Sequence, residues 1–259
     1  MEKTIDVKGT KVHINGNGSA VIVMVHGWPD THEVWNKQVD FFKKDYTCVT
    51  FTLPGFDRND TSKYTLDDIV NRIKDIVDTV SPDSKAIFFV HDWGCVFGYE
   101  YAMRYPEKIK KMVAIDVGDA SSPEFEKTLT LKAKLMVFSY QFTLALGWLT
   151  KSDFIHKTMA KGLQAKSNFE NIHAGMGFPY AMRWLGANGG LNQVMQIKPT
   201  FPFFYTYALK KPFFFQTEKW LKELEKNPAN KVQAFNCGHW VMIDKADEFN
   251  EAVNTWLLK

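Results

Sequence analysis

Two unbroken apolar runs, Val21–Val25 and Ala86–Val90, limit what this chain can fold into more than any other feature. Each is too short for a buried helix. Neither alternates polar with apolar, so each fits a strand covered on both faces. Such strands belong to parallel sheets, which need helical crossovers. The sequence supplies them. Thr65 reads as the cap of an amphipathic helix with Leu66, Ile69, Val70, Ile73, Ile76, Val77 and Val80 on one face, and Ser81-Pro82 stops it. Further helices are expected at about 31–42, 95–104, 218–226 and 247–257. Strands are expected at 47–52, 112–115, 201–207 and 231–235. Two short β runs, 5–7 and 11–14, open the chain around a Lys8-Gly9-Thr10 turn. The pattern implies an α/β fold, a mostly parallel sheet flanked by helices.

The alternation fails from about Val117 to Lys198, a stretch of helices and loops rich in aromatics, Gly and Met. The expected division is a core of residues 1–116 and 199–259 and an inserted helical lid of residues 117–198. A block inserted there would cover the C-terminal edge of the sheet, where open α/β sheets bind ligands. With 21 Phe, 9 Tyr and 8 Trp, the chain can line an apolar pocket as well as fill a core, so an apolar small molecule is the expected substrate.

The formal net charge is +3, with lysines spread along the chain. No dense basic run suggests a nucleic-acid partner. Cys48, Cys95 and Cys237 form no CxxC pair or metal-ligand spacing, which fits reduced thiols. The opening MEKTIDVKGTKVHI lacks the apolar region of a secretory signal. Leu135–Leu149 is short for a membrane span and carries Ser139, Gln141 and Thr143. A cytoplasmic protein without stable membrane insertion is expected; its oligomeric state is left open.

Three segments carry the chemistry. In Val90-His91-Asp92-Trp93-Gly94, a buried strand meets a sharp turn and then a helix. Such a turn lifts its central residue, Asp92, into an exposed and strained position, and the helix N-terminus behind it favours negative charge. A carboxylate there is a nucleophile toward strained or activated carbon, or else an ordinary helix cap. His26-Gly27-Trp28-Pro29 follows the other buried strand, so the Trp28 amide can join the Trp93 amide as an oxyanion hole. Asn236-Cys237-Gly238-His239-Trp240 puts His239 past the last strand, where a general base is useful.

Together H-G-W-P, H-D-W-G and G-H resemble the α/β-hydrolase superfamily, in its epoxide hydrolase and haloalkane dehalogenase branch. The resemblance covers the whole chain except the inserted block, where it is weak. It implies an eight-stranded sheet, Asp92 as nucleophile, His239 as base, and no metal or organic cofactor. The family's acid follows either the seventh core strand or the sixth. After the seventh, Pro202-Phe203-Phe204-Tyr205-Thr206-Tyr207-Ala208-Leu209-Lys210-Lys211 puts a lysine in the acid position. The sixth ends in Asp116, which is taken as the acid, with Asp119 and Glu218 as fallbacks. Lid tyrosines in this branch donate to the epoxide oxygen, and Tyr180, then Tyr140, fit that role.

This sequence departs from the family pattern at two places. Val90 stands where a small residue is usual, with Gly94 and Gly98 leaving room behind it. Asp57 replaces a loop glycine whose left-handed conformation Asp can tolerate, so the change reads as structural drift. Epoxide hydrolysis is the first reading. Haloalkane dehalogenation is the alternative, with Trp93 and Trp28 indoles as halide donors. A non-catalytic ligand-binding protein of the same fold is the third.

Overall fold

In the computed structural model, which describes residues 2–191 and 194–259, the runs Val21–Val25 (β3) and Ala86–His91 (β5) lie side by side and parallel at the centre of one sheet. The remaining strands are Glu2–Val7 (β1), Thr10–Asn15 (β2), Thr47–Phe51 (β4), Ile109–Ile115 (β6), Phe203–Ala208 (β7) and Lys231–Phe235 (β8). Their spatial order is β1-β2-β4-β3-β5-β6-β7-β8. Only the β1–β2 and β2–β4 pairs are antiparallel. The turn between β1 and β2 uses positive φ at Lys8 and Gly9.

Helices follow from local chemistry. Thr31 caps a short 3-10 turn, His32–Trp35, which runs into Asn36–Phe42 (α1). Leu66–Val80 (α2) begins with a full capping box between Thr65 and Asp68. Its face of Ile69, Val70, Ile73, Ile76 and Val77 is wholly buried, each side chain contributing about 1.5–3 kcal/mol by leaving water. Trp93–Arg104 (α3) leaves β5 directly and packs beneath the sheet's centre. Glu218–Glu225 (α8), Val241–Asp244 (α9) and Ala246–Leu257 (α10) complete the core. Phe89 meets Phe42 and Phe249 edge-to-face and Trp35 at a tilt, forming an aromatic group on one side of the sheet.

Between β6 and β7 the chain forms Pro123–Thr128 (α4), Leu131–Leu149 (α5), Asp153–Gly162 (α6) and Phe178–Leu185 (α7). Helix α5 packs on both α6 and α7. Arg58, in the loop after β4, ties this insert to the core through Asp153 at 2.7 Å and the Ile172 carbonyl at 3.0 Å. In the loop after β4 the positive φ belongs to Gly55, and Asp57 stays in ordinary backbone space, so the missing glycine strains nothing there. Among the described residues, no helix is long and apolar enough to cross a membrane.

Candidate active site

Asp92 sits at the junction of β5 and α3 with φ 54° and ψ −122°. A non-glycine residue there costs of order 1–3 kcal/mol, which the packed strand and helix on either side must offset. Its side chain does not cap the helix. Instead Oδ1 accepts a hydrogen bond from the Trp28 amide at 2.7 Å. Gly27 makes that approach possible, because a Cβ at this position would overlap both Asp92 Oδ1 and the Trp93 amide nitrogen. Room for Val90 comes from behind: a Cβ on Gly98 would stand 2.6 Å from Val90 Cγ1. The bulky residue before the elbow is thus accommodated by the helix glycine.

His239 lies in the loop between β8 and α9. Its Nε2 is 3.4 Å from Asp92 Oδ2, and its Nδ1 is 2.5 Å from Asp116 Oδ2. Asp116 ends β6 at φ 69°, is fully buried, and accepts the Ala208 amide at 2.8 Å. The other two acids are occupied elsewhere. Asp119 accepts from the Thr217 amide at 2.7 Å and from the hydroxyls of Thr217 and Ser122 at 2.9 and 3.0 Å. Glu218 is exposed in the first turn of α8.

Burial raises the proton affinity of Asp92, but the hydrogen bond and charge of His239 outweigh it and leave the carboxyl below its ordinary range. The Trp93 amide works in the same direction. At Asp116 burial is likewise overcome, first by the charge of Lys211 and then by His239. For His239, burial favours the neutral ring, yet its bonds to Asp116 and Asp92 push it up to about 9. The resting site therefore holds an imidazolium between two carboxylates at neutral pH.

Tyr180 on α7 is almost fully buried, with its ring edge-on to Trp28 and Trp93 at 5.8 and 5.2 Å between centroids. Tyr140 on α5 stands 6.4 Å from the Tyr180 ring. The Tyr140 hydroxyl accepts from Gln141 Nε2 at 2.9 Å, which leaves its own proton free to donate. Burial, and the nearby Asp92 charge, hold both phenols protonated well above their ordinary range. Two cavities of about 400 and 290 Å³ meet here, and Asp92, Tyr140, Tyr180 and Phe215 line both. These volumes suit a small organic ligand. Among the described residues, no group of three His, Cys, Asp or Glu side chains is arranged to hold a metal.

Several residues at the site are absent from the sequence-based set. Trp28 Nε1 donates to His156 Nδ1 on α6 at 3.2 Å, so its indole is engaged with the insert. His91 Nε2 donates to the His239 carbonyl at 3.2 Å and steadies the base-bearing loop. Asp30 accepts from Trp240 Nε1 at 3.0 Å and from the Ser167 hydroxyl. Lys211 reaches Asp116. Only Lys211 had a visible signal, a lysine where the resemblance expects an acid. The others depend on side chains far apart in the chain.

His26 of the H-G-W-P segment is structural. Its Nδ1 donates to the Gly27 carbonyl and its Nε2 accepts the Leu53 amide, both at 2.9 Å, which fixes a neutral tautomer. Burial holds both His26 and His156 down at about 4. Their unfolded values lie near 6.5, so the unfolded chain binds more protons between pH 6.5 and 4. Stability is fully present above that window and falls through it by roughly 3 kcal/mol per histidine. His239 acts oppositely, its contribution being lost between pH 6.5 and about 9. Denaturant midpoints should therefore drop steeply from pH 7 to 4.5; a flat profile would contradict the neutral assignments.

A family profile for the α/β hydrolase fold matches residues 20–246. The chain belongs to that family. It is similar to epoxide hydrolase 4 of Homo sapiens, 29% identical over 141 residues, which is 53% of this chain and 38% of that protein. Epoxide hydrolase 1 of Caenorhabditis elegans is 28% identical over 120 residues, 44% of this chain and 30% of its own length. The aligned segments thus span under two-fifths of these curated relatives. The crystal structure of Bacillus megaterium epoxide hydrolase in complex with an inhibitor superposes with a TM-score of 0.75 at 20% identity, covering 99% of this chain and 100% of the other.

Proposed function

We propose that this α/β hydrolase opens epoxides to diols through an ester on Asp92. The observation that carries the reading is the placement of one carboxylate between two partners. Asp92 Oδ1 rests on the Trp28 amide while Oδ2 faces a histidine oriented by a buried acid. The similarity to epoxide hydrolases supports the choice of substrate.

In the first step Asp92 Oδ2 attacks an epoxide carbon and the ring C–O bond breaks. Tyr180 and Tyr140 donate to the developing alkoxide, and a proton passes to it. The proton so spent is replaced from the His239 imidazolium, leaving a neutral ring. Alkylation has by then removed the Asp92 charge that favoured the imidazolium. In the second step His239 takes a proton from water, which attacks the ester carbonyl carbon. The Trp28 and Trp93 amides hold the oxyanion. Collapse releases the diol and restores Asp92 and the imidazolium, so protons balance over the cycle. Neither step calls for a metal or organic cofactor. The α4–α7 insert acts as the lid that shapes the substrate cavity.

Dehalogenation would need a second N–H donor for halide besides the Trp93 indole. The Trp28 indole is already committed to His156, which favours the epoxide. One turnover in heavy-oxygen water tests the covalent route: label should enter the Asp92 carboxylate, read by peptide mass spectrometry. Label found only in the diol would mean direct attack by water. Absence of any product across an epoxide panel would favour the ligand-binding alternative.

A further inference from the structure

The loop after β7 carries lysines where the related enzymes place a carboxylate, and one of them turns inward. The Lys211 side chain is 8% exposed, with Nζ 2.6 Å from Asp116 Oδ1. Its ammonium also lies over the rings of Phe215 and Phe214, at 5.4 and 5.8 Å from their centroids. Asp116 thus has one oxygen on His239 and the other on Lys211 and the Ala208 amide. Asp92, His239, Asp116 and Lys211 form a line of alternating charge.

We propose that Lys211 is a positioning residue that tempers Asp116, so that His239 becomes a free base once Asp92 has been alkylated. The proposal rests on the ester mechanism above. In the ester Asp92 is neutral, and Asp116 is the carboxylate still in contact with His239. A buried carboxylate in contact with the ring raises its proton affinity, and does so more strongly the more of its charge faces the ring. A cation on the far oxygen draws that charge away and keeps Asp116 ionised and aimed. When the acid sits after β6, the position after β7 is left free for a counter-charge.

Other charged or titratable groups surround this line and are common to every Lys211 variant compared below. The His91 ring on β5 lies tilted 4.5 Å from the His239 ring, with Asp30 3.7 Å from its Nδ1. Tyr205 on β7, Cys237 beside the base, Asp119 after β6, and the Asp244–Lys166 pair and Lys210 at the cavity wall complete the surroundings.

The test uses Asp92→Asn, whose neutral side chain stands in for the ester, and follows the His239 ring nitrogens by NMR titration. Adding Lys211→Met should raise the His239 midpoint by about one pH unit, the usual effect of removing one nearby charge. Lys211→Arg should leave it within a few tenths. An unmoved or lowered midpoint in the Met variant overturns the proposal, since a purely structural lysine would not shift it upward. If Lys211→Met does not fold, Lys211→Gln answers the same question. In the otherwise unaltered enzyme, Lys211→Met should displace the pH profile of ester breakdown to alkaline pH by the same amount. Failure to form any ester would sink the ester mechanism while the Asp92→Asn titration still judged Lys211.

Discussion

A His239→Gln protein given epoxide should complete the first half of one turnover and stop. Its intact mass should rise by the full mass of the epoxide, and steady-state diol formation should fall by about a thousand-fold or more, as expected when a general base is lost. The two halves of the reaction ask different things of the site. Attack needs an ionised Asp92 and phenols to receive the oxygen; without the imidazolium, the proton spent by the phenols is replaced from solvent. The Trp28 and Trp93 amides still favour the carboxylate when the histidine is gone. Ester cleavage needs a base within reach of water beside Asp92, and His239 Nε2, 3.4 Å from Oδ2, is placed for it. Glutamine keeps polarity near that position but cannot take the proton. An inactive variant with unchanged mass would mean that His239 is required before the covalent bond forms. Unimpaired turnover would place the chemistry elsewhere.

How much of this was legible depends on how local the signal is. Strand β8 was readable to its bounds, Lys231–Phe235, and so was the face of α2, whose five central positions are buried while Leu66 and Val80 at its ends are half-buried, because periodicity and caps are local. Other bounds moved for identifiable reasons. Helix α3 starts at Trp93, two positions earlier than the apolar pattern suggests, because the positive φ at Asp92 ends the strand and lets the helix begin at once. Strand β6 starts at Ile109, its first turn disguised by Lys110 and Lys111. The edge strand β1 and its hairpin partner β2 outrun their apolar runs because the outer end of the sheet is largely exposed and tolerates polar residues. Asp92, His239 and Asp116 could be picked out because each stands at the C-terminal end of a recognisable strand or just past it. The Trp28–His156 and Lys211–Asp116 contacts could not. They join residues on separate elements: the first exists only once the insert has packed on the sheet, the second only once β6 and β7 lie side by side.

The phenols separate epoxide opening from its alternative most sharply. Tyr180→Phe should lower the alkylation rate by about 100- to 1000-fold, the range for losing one preorganised donor to a developing oxyanion, and leave breakdown of a preformed ester nearly unchanged. Tyr140→Phe should cost less than Tyr180→Phe. Tyr180 is gripped edge-on by the rings of Trp28 and Trp93, which flank the nucleophile, so its hydroxyl direction is set by packing. Tyr140 relies more on Gln141, whose amide is itself held by Trp184 at 3.0 Å. The double variant should fall below detection, because the ring oxygen would then have to develop its full negative charge without either phenol donor. A departing halide needs no proton, so a haloalkane substrate would lose far less from the same pair of changes. Stopped-flow fluorescence can follow the first step, since Trp28 and Trp93 both stand at the reacting carboxylate. A Tyr180→Phe enzyme that alkylates at the normal rate would require another group to receive the oxygen, and would reopen the assignment of the leaving atom itself.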